Sequence, residues 1–196
     1  MLWNKLKNHK IYLASQSPRR KELLKGLNID FEIIVFDCEE RYPPNIPYYK
    51  IAEYISEQKA SACPKENLAD NFILITADTT VCIDNDILGK PKDETKAIEM
   101  LRQLSGKKHE VITGVSLLTK SLRKTFSVKT DVYFKSLSEK EIEFYVKNYW
   151  PLDKAGAYGI QEWIGFAGIT RIDGSYFNVM GLPVQRLYEE LSMLAQ

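Results

Sequence analysis

Apolar residues in this chain form short runs separated by polar segments that contain proline, glycine or asparagine. An apolar run of about four to eight residues between such segments is typical of a buried strand. The runs that predict strands are Ile11–Ala14, Phe31–Phe36, Phe72–Thr76, Val81–Leu88, Val111–Leu118 and Phe126–Phe134. Within Val81–Leu88, the Asp84-Asn85-Asp86 segment predicts a hairpin turn.

Helical periodicity lies between these runs. Pro18 is suited to open a helix and Gly26 to end one, and Ser138 with Glu141 resembles a capping box. The predicted helices run from Pro18 to about Lys25, over Tyr48–Ala62, over Asp93–Leu104, from Ser138 to about Lys147, and from about Pro183 onward. The alternation of strands and helices predicts an α/β fold with a mixed, twisted sheet flanked by helices.

Composition narrows the class of protein. With 196 residues, 44% hydrophobic and 27% charged, the chain is long enough for one globular domain. A net charge of +1 gives no reason to expect a nucleic acid or a membrane as partner. The N-terminal residues lack a signal-peptide core, and no apolar stretch is long enough to span a bilayer, so we expect a cytoplasmic protein. Three cysteines at unrelated spacings indicate reduced thiols.

The first candidate for chemistry is the predicted strand–helix junction at Ser15. Arg19 and Arg20 would lie in the first helical turn, where the helix dipole already places partial positive charge. Unsatisfied N–H groups, a serine hydroxyl and two arginines together suit a phosphate. Arginines that simply point into solvent are the alternative, and the pattern alone gives the two interpretations about even weight.

Carboxylates and a lysine supply the next candidates. Asp78, followed by Thr79, comes directly after the predicted strand Phe72–Thr76, a common place for a metal ligand or a general base, although a turn-forming aspartate is the commoner case. Glu39 or Glu40 could supply a second carboxylate for Mg²⁺, or belong to a solvated acidic loop. Lys90, after Gly89, could reach a phosphate, or be solvated.

A segment rich in small residues precedes Gln161. The sequence PLDKAGAYGIQ, residues 151–161, suggests backbone packed against a ligand, or equally a crossover between sheet elements. A glutamine carboxamide both donates and accepts, which complements the imide edge of a pyrimidine. Neither a P-loop nor a Rossmann glycine motif occurs, and His9 and His109 are isolated.

Taken together, these segments resemble the Maf family of nucleotide pyrophosphatases over nearly the whole chain. The motifs that carry the resemblance are LASQSPRRKELL, ADTTV, ILGKP, PLDKAGAYGIQ and DGSYFNVMGLP. The resemblance implies an inosine-triphosphatase-like α/β fold, with residues 1–196 as a single domain of two lobes around a central cleft, and a homodimer. It implies hydrolysis of a nucleoside triphosphate to monophosphate and pyrophosphate with a divalent metal, Mg²⁺ or Mn²⁺.

The same resemblance implies roles for individual residues. The family's essential polar positions fall on Ser15, Arg19, Arg20, Glu39, Lys59, Asp78 and Lys90. Asp78 stands at the position of the proton acceptor, and Asp78 with Glu39 would bind the metal. Arg19, Thr79 and Gln161 match the branch that acts on dTTP and UTP, whereas the 7-methyl-GTP branch has other residues there. The proline-rich loop after Arg41 keeps Glu40 open as the second carboxylate, and Asp173 stands where asparagine is common.

Other functions compete with this hypothesis. The chain could be a non-catalytic nucleotide-binding regulator of cell division, or a pyrophosphatase of a modified nucleotide such as 7-methyl-GTP. An RNA-binding module is disfavoured because the charge is balanced and no basic stripe with interleaved aromatics occurs. Metal-stimulated turnover would separate an enzyme from a regulator.

Overall fold

The computed structural model describes residues 2–194, which form an α/β fold with a mixed sheet of seven strands flanked by helices. The strands are β1 (Lys10–Ala14), β2 (Glu32–Ile33), β3 (Phe72–Ile83), β4 (Asp86–Leu88), β5 (Lys108–Leu118), β6 (Arg123–Phe134) and β7 (Ile169–Asp173). The helices are α1 (Leu2–Leu6), α2 (Pro18–Lys25), α3 (Ile51–Ala62), α4 (Glu94–Leu104), α5 (Glu139–Tyr149), α6 (Trp163–Gly168), α7 (Tyr176–Met180) and α8 (Val184–Leu194). The predicted fold class is confirmed.

The order of strands in the sheet is β2-β1-β3-β5-β6-β7, with β4 paired to β3. β1 runs parallel to both β2 and β3, while β4 and β7 are antiparallel to their partners. In the β1–β3 pair, Ala14 lies opposite Thr76. The residues after Ala14 therefore leave the sheet beside Ala77 and Asp78, at the carboxyl end of β1.

The chain divides into two compact units. The first comprises the chain up to Asp78, Thr113–Val128 and the chain from Gly181 onward, and the second comprises Thr79–Ile112 and Lys129–Met180. A cluster of buried residues in the first unit packs β1, α3 and β3 together; its members are Tyr12, Ala60, Cys63, Phe72, Leu74 and Leu118. The expectation of two lobes around a cleft stays a prediction.

The strand β3 is longer than the sequence predicted. Two separate strands were expected, ending at Thr76 and resuming at Val81, but β3 is continuous from Phe72 to Ile83. Thr79 and Thr80 are β-branched and extend the strand despite their polarity. Asp78 consequently projects from within the strand, and the expected break before it is wrong.

The predicted helix start at Pro18, helix end at Gly26 and capping box at Ser138 all occur in the structure. Ser17 caps α2 with Pro18 in its first turn, and Gly26 ends that helix. The side chains of Ser138 and Glu141 form both hydrogen bonds of a capping box at α5. These local predictions are confirmed because each depends on a few adjacent residues.

Other elements differ from the prediction. The run Phe31–Phe36 forms only the two-residue strand β2, and α1, α6, β7 and α7 were not predicted. The hairpin turn at Asp84 and Asn85 is confirmed, with φ angles of 51° and 70°. Cys38, Cys63 and Cys82 are free thiols, as expected. Over residues 2–194, each helix is too short or too polar to cross a lipid bilayer.

Candidate functional site

The junction between β1 and α2 is built from serine hydroxyls. Ser15 Oγ accepts a hydrogen bond from the Ser17 backbone N–H at 3.2 Å, and Ser17 Oγ accepts one from the Arg20 N–H at 3.4 Å. The two hydroxyls thus satisfy amides that would otherwise be unpaired at the start of α2. Each hydroxyl hydrogen can still donate to an anion.

Arg20 is anchored to two backbone carbonyls of the first unit. Its Nε donates to Gly181 O at 2.8 Å and its Nη1 donates to Ala77 O at 2.9 Å. Burial lowers the pKa of the Arg20 guanidinium, and the nearby charge of Asp78 opposes that shift. Arg20 therefore lies beside the residue that precedes Asp78, and the helix start and the carboxylate meet in one region of this unit. Arg19, the adjacent arginine, is half-buried.

Lys59 joins two carboxylates in the same region. Helix α3 carries Lys59, whose Nζ lies 2.8 Å from Asp78 Oδ1 and 2.8 Å from Glu40 Oε1. The side chains of Lys59 and Asp78 are only 15% and 14% exposed, so solvent screens their ion pair less than it would a surface pair. Lys59 therefore holds Asp78 and Glu40 close together.

Glu39 points elsewhere. Its Oε1 lies 2.5 Å from Arg41 Nη2, and its side chain is 67% exposed. Of the two glutamates that the sequence left open, the structure brings Glu40, and not Glu39, to Lys59.

The donor set suits a divalent cation. Over residues 2–194, no group of three or more His, Cys, Asp or Glu side chains could hold a metal by itself. Mg²⁺, however, commonly takes one or two protein carboxylates and completes its coordination with phosphate oxygens and water. Asp78 and Glu40 already share one positive charge, the Lys59 ammonium, so the pair fits a cation that arrives with a phosphate ligand.

The second unit contains the remaining predicted residues. Thr79 is the next residue on β3 after Asp78 and is half-buried, and Lys90 is exposed. The Gly156 N–H donates to Gly89 O at 3.1 Å, which ties the loop carrying Lys90 to the segment that leads to Gln161. Gly156 has a φ of 70°, and a Cβ there would meet the Val81 side chain at 2.9 Å. This close approach explains the glycine.

Gln161 has an unused acceptor. Its side-chain oxygen Oε1 is buried and makes no hydrogen bond within the part of the chain that the structure describes. A buried carboxamide oxygen without a partner costs free energy unless a ligand supplies a donor. The Gln161 side chain therefore has an oxygen that can accept a hydrogen bond from a polar ligand.

Sequence reasoning missed two buried polar contacts in the second unit. Tyr145 on α5, Lys154 and Glu162 form one connected group of hydrogen bonds and ion pairs. His109 Nε2 lies 2.7 Å from the Tyr158 hydroxyl. Lys154 and Tyr158 both stand in the PLDKAGAYGIQ segment, and a lysine among small apolar residues was the available signal.

Comparison with known proteins gives a consistent result. The model of the family described as Maf-like protein matches residues 10–194. A protein of Bacteroides thetaiotaomicron named dTTP/UTP pyrophosphatase is 51% identical over 195 residues, covering 99% of this chain and 100% of that protein. One of Phocaeicola vulgatus with the same name is 52% identical over 190 residues, covering 96% and 98%. One of Flavobacterium johnsoniae, again so named, is 48% identical over 194 residues, covering 99% and 100%.

Proposed function

This chain belongs to the Maf family, and from that premise we propose that it hydrolyses nucleoside triphosphates, preferentially dTTP and UTP, to the monophosphate and pyrophosphate. The relatives named dTTP/UTP pyrophosphatase match it over nearly their whole length. One structural observation carries the proposal: Arg20, Lys59 and Asp78 lie together in the first unit. Cleaving a phosphoanhydride needs positive groups for the phosphates and a carboxylate for the attacking water.

The cationic side chains hold the triphosphate. Arg20 is fixed by Ala77 and Gly181, so its guanidinium does not have to be ordered when the substrate binds. Ser15 donates a hydrogen bond to a phosphate oxygen. Arg19, Lys59 and Lys90 supply further positive charge, and neutralise charge that builds on the leaving pyrophosphate.

Asp78 and one glutamate hold a divalent cation, Mg²⁺ or Mn²⁺. Glu39 and Glu40 are the two candidates, and the distance from Glu40 to Lys59 favours Glu40. When bound, the cation supplies positive charge to the phosphate oxygens. Lys59 holds the two carboxylates close together before the cation binds, which lowers the cost of assembling the site.

Asp78 also accepts the proton of the attacking water. The water oxygen forms a bond to the α-phosphorus, and the bond from that phosphorus to the oxygen bridging to the β-phosphorus breaks. The electron pair leaves with pyrophosphate, and the water proton passes to Asp78.

The base is selected by Gln161 and Thr79. A pyrimidine imide presents an acceptor, a donor and an acceptor, and the buried Gln161 oxygen offers an acceptor to the central N–H. A base without that donor leaves the buried oxygen unpaired, so it is bound less well in the transition state.

Pyrophosphate release from a panel of nucleotides tests the proposal. The panel contains dTTP, UTP, dCTP, dATP, dGTP and 7-methyl-GTP, each with Mg²⁺ or Mn²⁺ and with a chelator. We expect dTTP and UTP to give the highest kcat/KM and the chelator to abolish turnover. Equal turnover of 7-methyl-GTP and dTTP would contradict the selectivity, and nucleotide binding without turnover would favour a regulator.

Assembly and location are further parts of the proposal. We propose a homodimer in the cytoplasm, in line with the implications of the family resemblance. Light scattering would give about twice the chain mass of 22.6 kDa for a dimer. A single-chain mass across the working concentration range would contradict it.

A further inference from the structure

Gln161 lies in a tight turn of the second unit. The Glu162 backbone N–H donates to Gly159 O at 3.0 Å, which closes a four-residue turn with Ile160 and Gln161 at its centre. The direction of the Gln161 side chain is therefore set by the geometry of this turn.

The hydroxyl of Tyr145 connects both ends of the turn. It accepts a hydrogen bond from the Gly159 N–H at 2.9 Å and donates one to Glu162 Oε2. Tyr145 is completely buried. Burial, and then the Glu162 carboxylate, raise the pKa of Tyr145, so the hydroxyl keeps the proton that it donates.

Lys154 holds the other oxygen of the same carboxylate. Its Nζ lies 3.1 Å from Glu162 Oε1, and the two side chains are 9% and 19% exposed. A carboxylate with this little exposure needs a compensating charge, which Lys154 provides. Glu162 is thus fixed from two directions, by a lysine of the loop and by a tyrosine of α5.

Gly159 lets Gln161 pack against the turn itself. A Cβ at Gly159 would lie 3.0 Å from Gln161 Nε2 and 2.8 Å from Glu162 Cδ. The Gln161 carboxamide is therefore close-packed on its nitrogen side, while its oxygen is buried with no hydrogen bond in the described residues. The turn presents this oxygen as the unused acceptor.

We propose that Tyr145 is a positioning residue for base selection, because its hydroxyl, with Glu162 and Lys154, holds the turn that orients Gln161. This inference rests on the proposed function, in which Gln161 reads the pyrimidine base. Tyr145 does not contact the base; it fixes the direction of the carboxamide that does.

The test is Tyr145→Phe, which removes one oxygen and keeps the buried ring. We expect kcat/KM for dTTP and UTP to fall about tenfold, and that for dATP to change little, so that the ratio of the two falls about tenfold. Tyr149→Phe is the matched control, since Tyr149 lies on the same helix, stacks on Tyr145 at 5.1 Å and is 38% exposed. It should leave the ratio unchanged.

A pair of variants at Glu162 separates positioning from general damage. Glu162→Gln keeps an acceptor for the Tyr145 hydroxyl and should retain most of the selectivity, whereas Glu162→Leu removes it and should match Tyr145→Phe. Amide hydrogen exchange of residues 156–162 supplies a readout that does not depend on activity, and should be faster in Tyr145→Phe.

The outcomes distinguish this inference from the proposed function. If the unmodified protein releases no pyrophosphate from any triphosphate, the proposed function fails and base selection fails with it. If it prefers dTTP and UTP, and Gln161→Ala loses that preference while Tyr145→Phe keeps it, only the inference is overturned. Unchanged hydrogen exchange in Tyr145→Phe would also overturn it.

Discussion

The Nζ atom of Lys59 lies 2.8 Å from Oδ1 of Asp78, and both side chains are largely shielded from solvent. Lys59 comes from α3 and Asp78 from the interior of β3, so the ion pair joins a helix to the strand beside it. A carboxylate that a neighbouring ammonium holds in place is positioned to bind a cation or to accept a proton.

Replacing Asp78 with Asn should abolish most of the turnover and leave the fold intact. The amide can neither accept the water proton nor bind a cation strongly, so kcat should fall by about 10²-fold or more. Steady-state pyrophosphate release measures the loss, and circular dichroism checks the fold. Asp30→Asn, an exposed change of the same kind in the same unit, is the control and should keep full activity. Near-normal turnover in Asp78→Asn would remove Asp78 from its assigned role.

Glu40→Gln and Glu39→Gln should differ in the Mg²⁺ concentration that they need for half-maximal activity. Glu40 shares Lys59 with Asp78, whereas Glu39 pairs with the exposed Arg41. We expect Glu40→Gln to raise the Mg²⁺ concentration needed for half-maximal activity by about tenfold, as loss of a ligand or its support commonly does. Glu39→Gln should leave it unchanged.

Metal titrations of the two variants give opposite results if the assignment is reversed. A large shift in Glu39→Gln with none in Glu40→Gln would mean that the loop rearranges on binding and presents Glu39. Equal shifts in both would show that the acidic loop acts through its total charge.

Much of the fold could be predicted because its signals are local. The helix start at Pro18 and the capping box at Ser138 each depend on a few adjacent residues, and both were predicted. The break expected between Thr76 and Val81 failed because polarity was taken as the end of a strand. β-branched threonines and pairing with neighbouring strands keep β3 continuous through Asp78.

Fewer of the contacts in the candidate site could be predicted from the sequence. That Arg20 and Asp78 meet follows from the pairing of β1 with β3, in which Ala14 lies opposite Thr76, and this register could not be derived from the sequence. Lys59 entered only through the family resemblance, since a lysine on a helix carries no signal by itself. The choice of Glu40 over Glu39 depends on side-chain directions in an irregular loop, which no periodicity encodes.

Gly114→Ala should destabilise the protein through α3. A Cβ at Gly114 on β5 would overlap the backbone at Ala52 and Glu53, so the helix that carries Lys59 would have to move away. We expect the free energy of unfolding to fall by about 3 kcal/mol, as severe overpacking does. Urea denaturation measures it. Gly89→Ala is the matched control, because a Cβ there would have no atom of residues 2–194 within 4 Å. Equal stability of the two variants would show that α3 does not lie so close to β5.

His109 should make stability depend on pH. Burial lowers its pKa from 6.5 to about 4, with Asp131 opposing the shift, so the folded protein holds this histidine neutral at pH values where the unfolded chain protonates it. The stabilisation is complete at pH values above the pKa of His109 in the unfolded chain. It is lost as the pH falls toward the lower pKa of His109 in the folded protein. Between about pH 7 and about pH 5, the free energy of unfolding should fall by about 2 kcal/mol from this group.

His109→Gln isolates that contribution, because glutamine can still hydrogen-bond to Tyr158 but does not titrate. The variant should be less stable than the unmodified protein near pH 7 and should lose less stability on going to pH 5. Measurements stop there because the pKa of Glu141 is held at about 2 by hydrogen bonds from Lys135 and Ser138, and that carboxylate adds its own loss of stability at lower pH. Urea denaturation at each pH gives, for each protein, the slope of the free energy of unfolding against pH. Parallel slopes for the two proteins would mean that His109 is protonated without cost, and so is not held neutral against the Phe134 and Tyr158 rings that surround it.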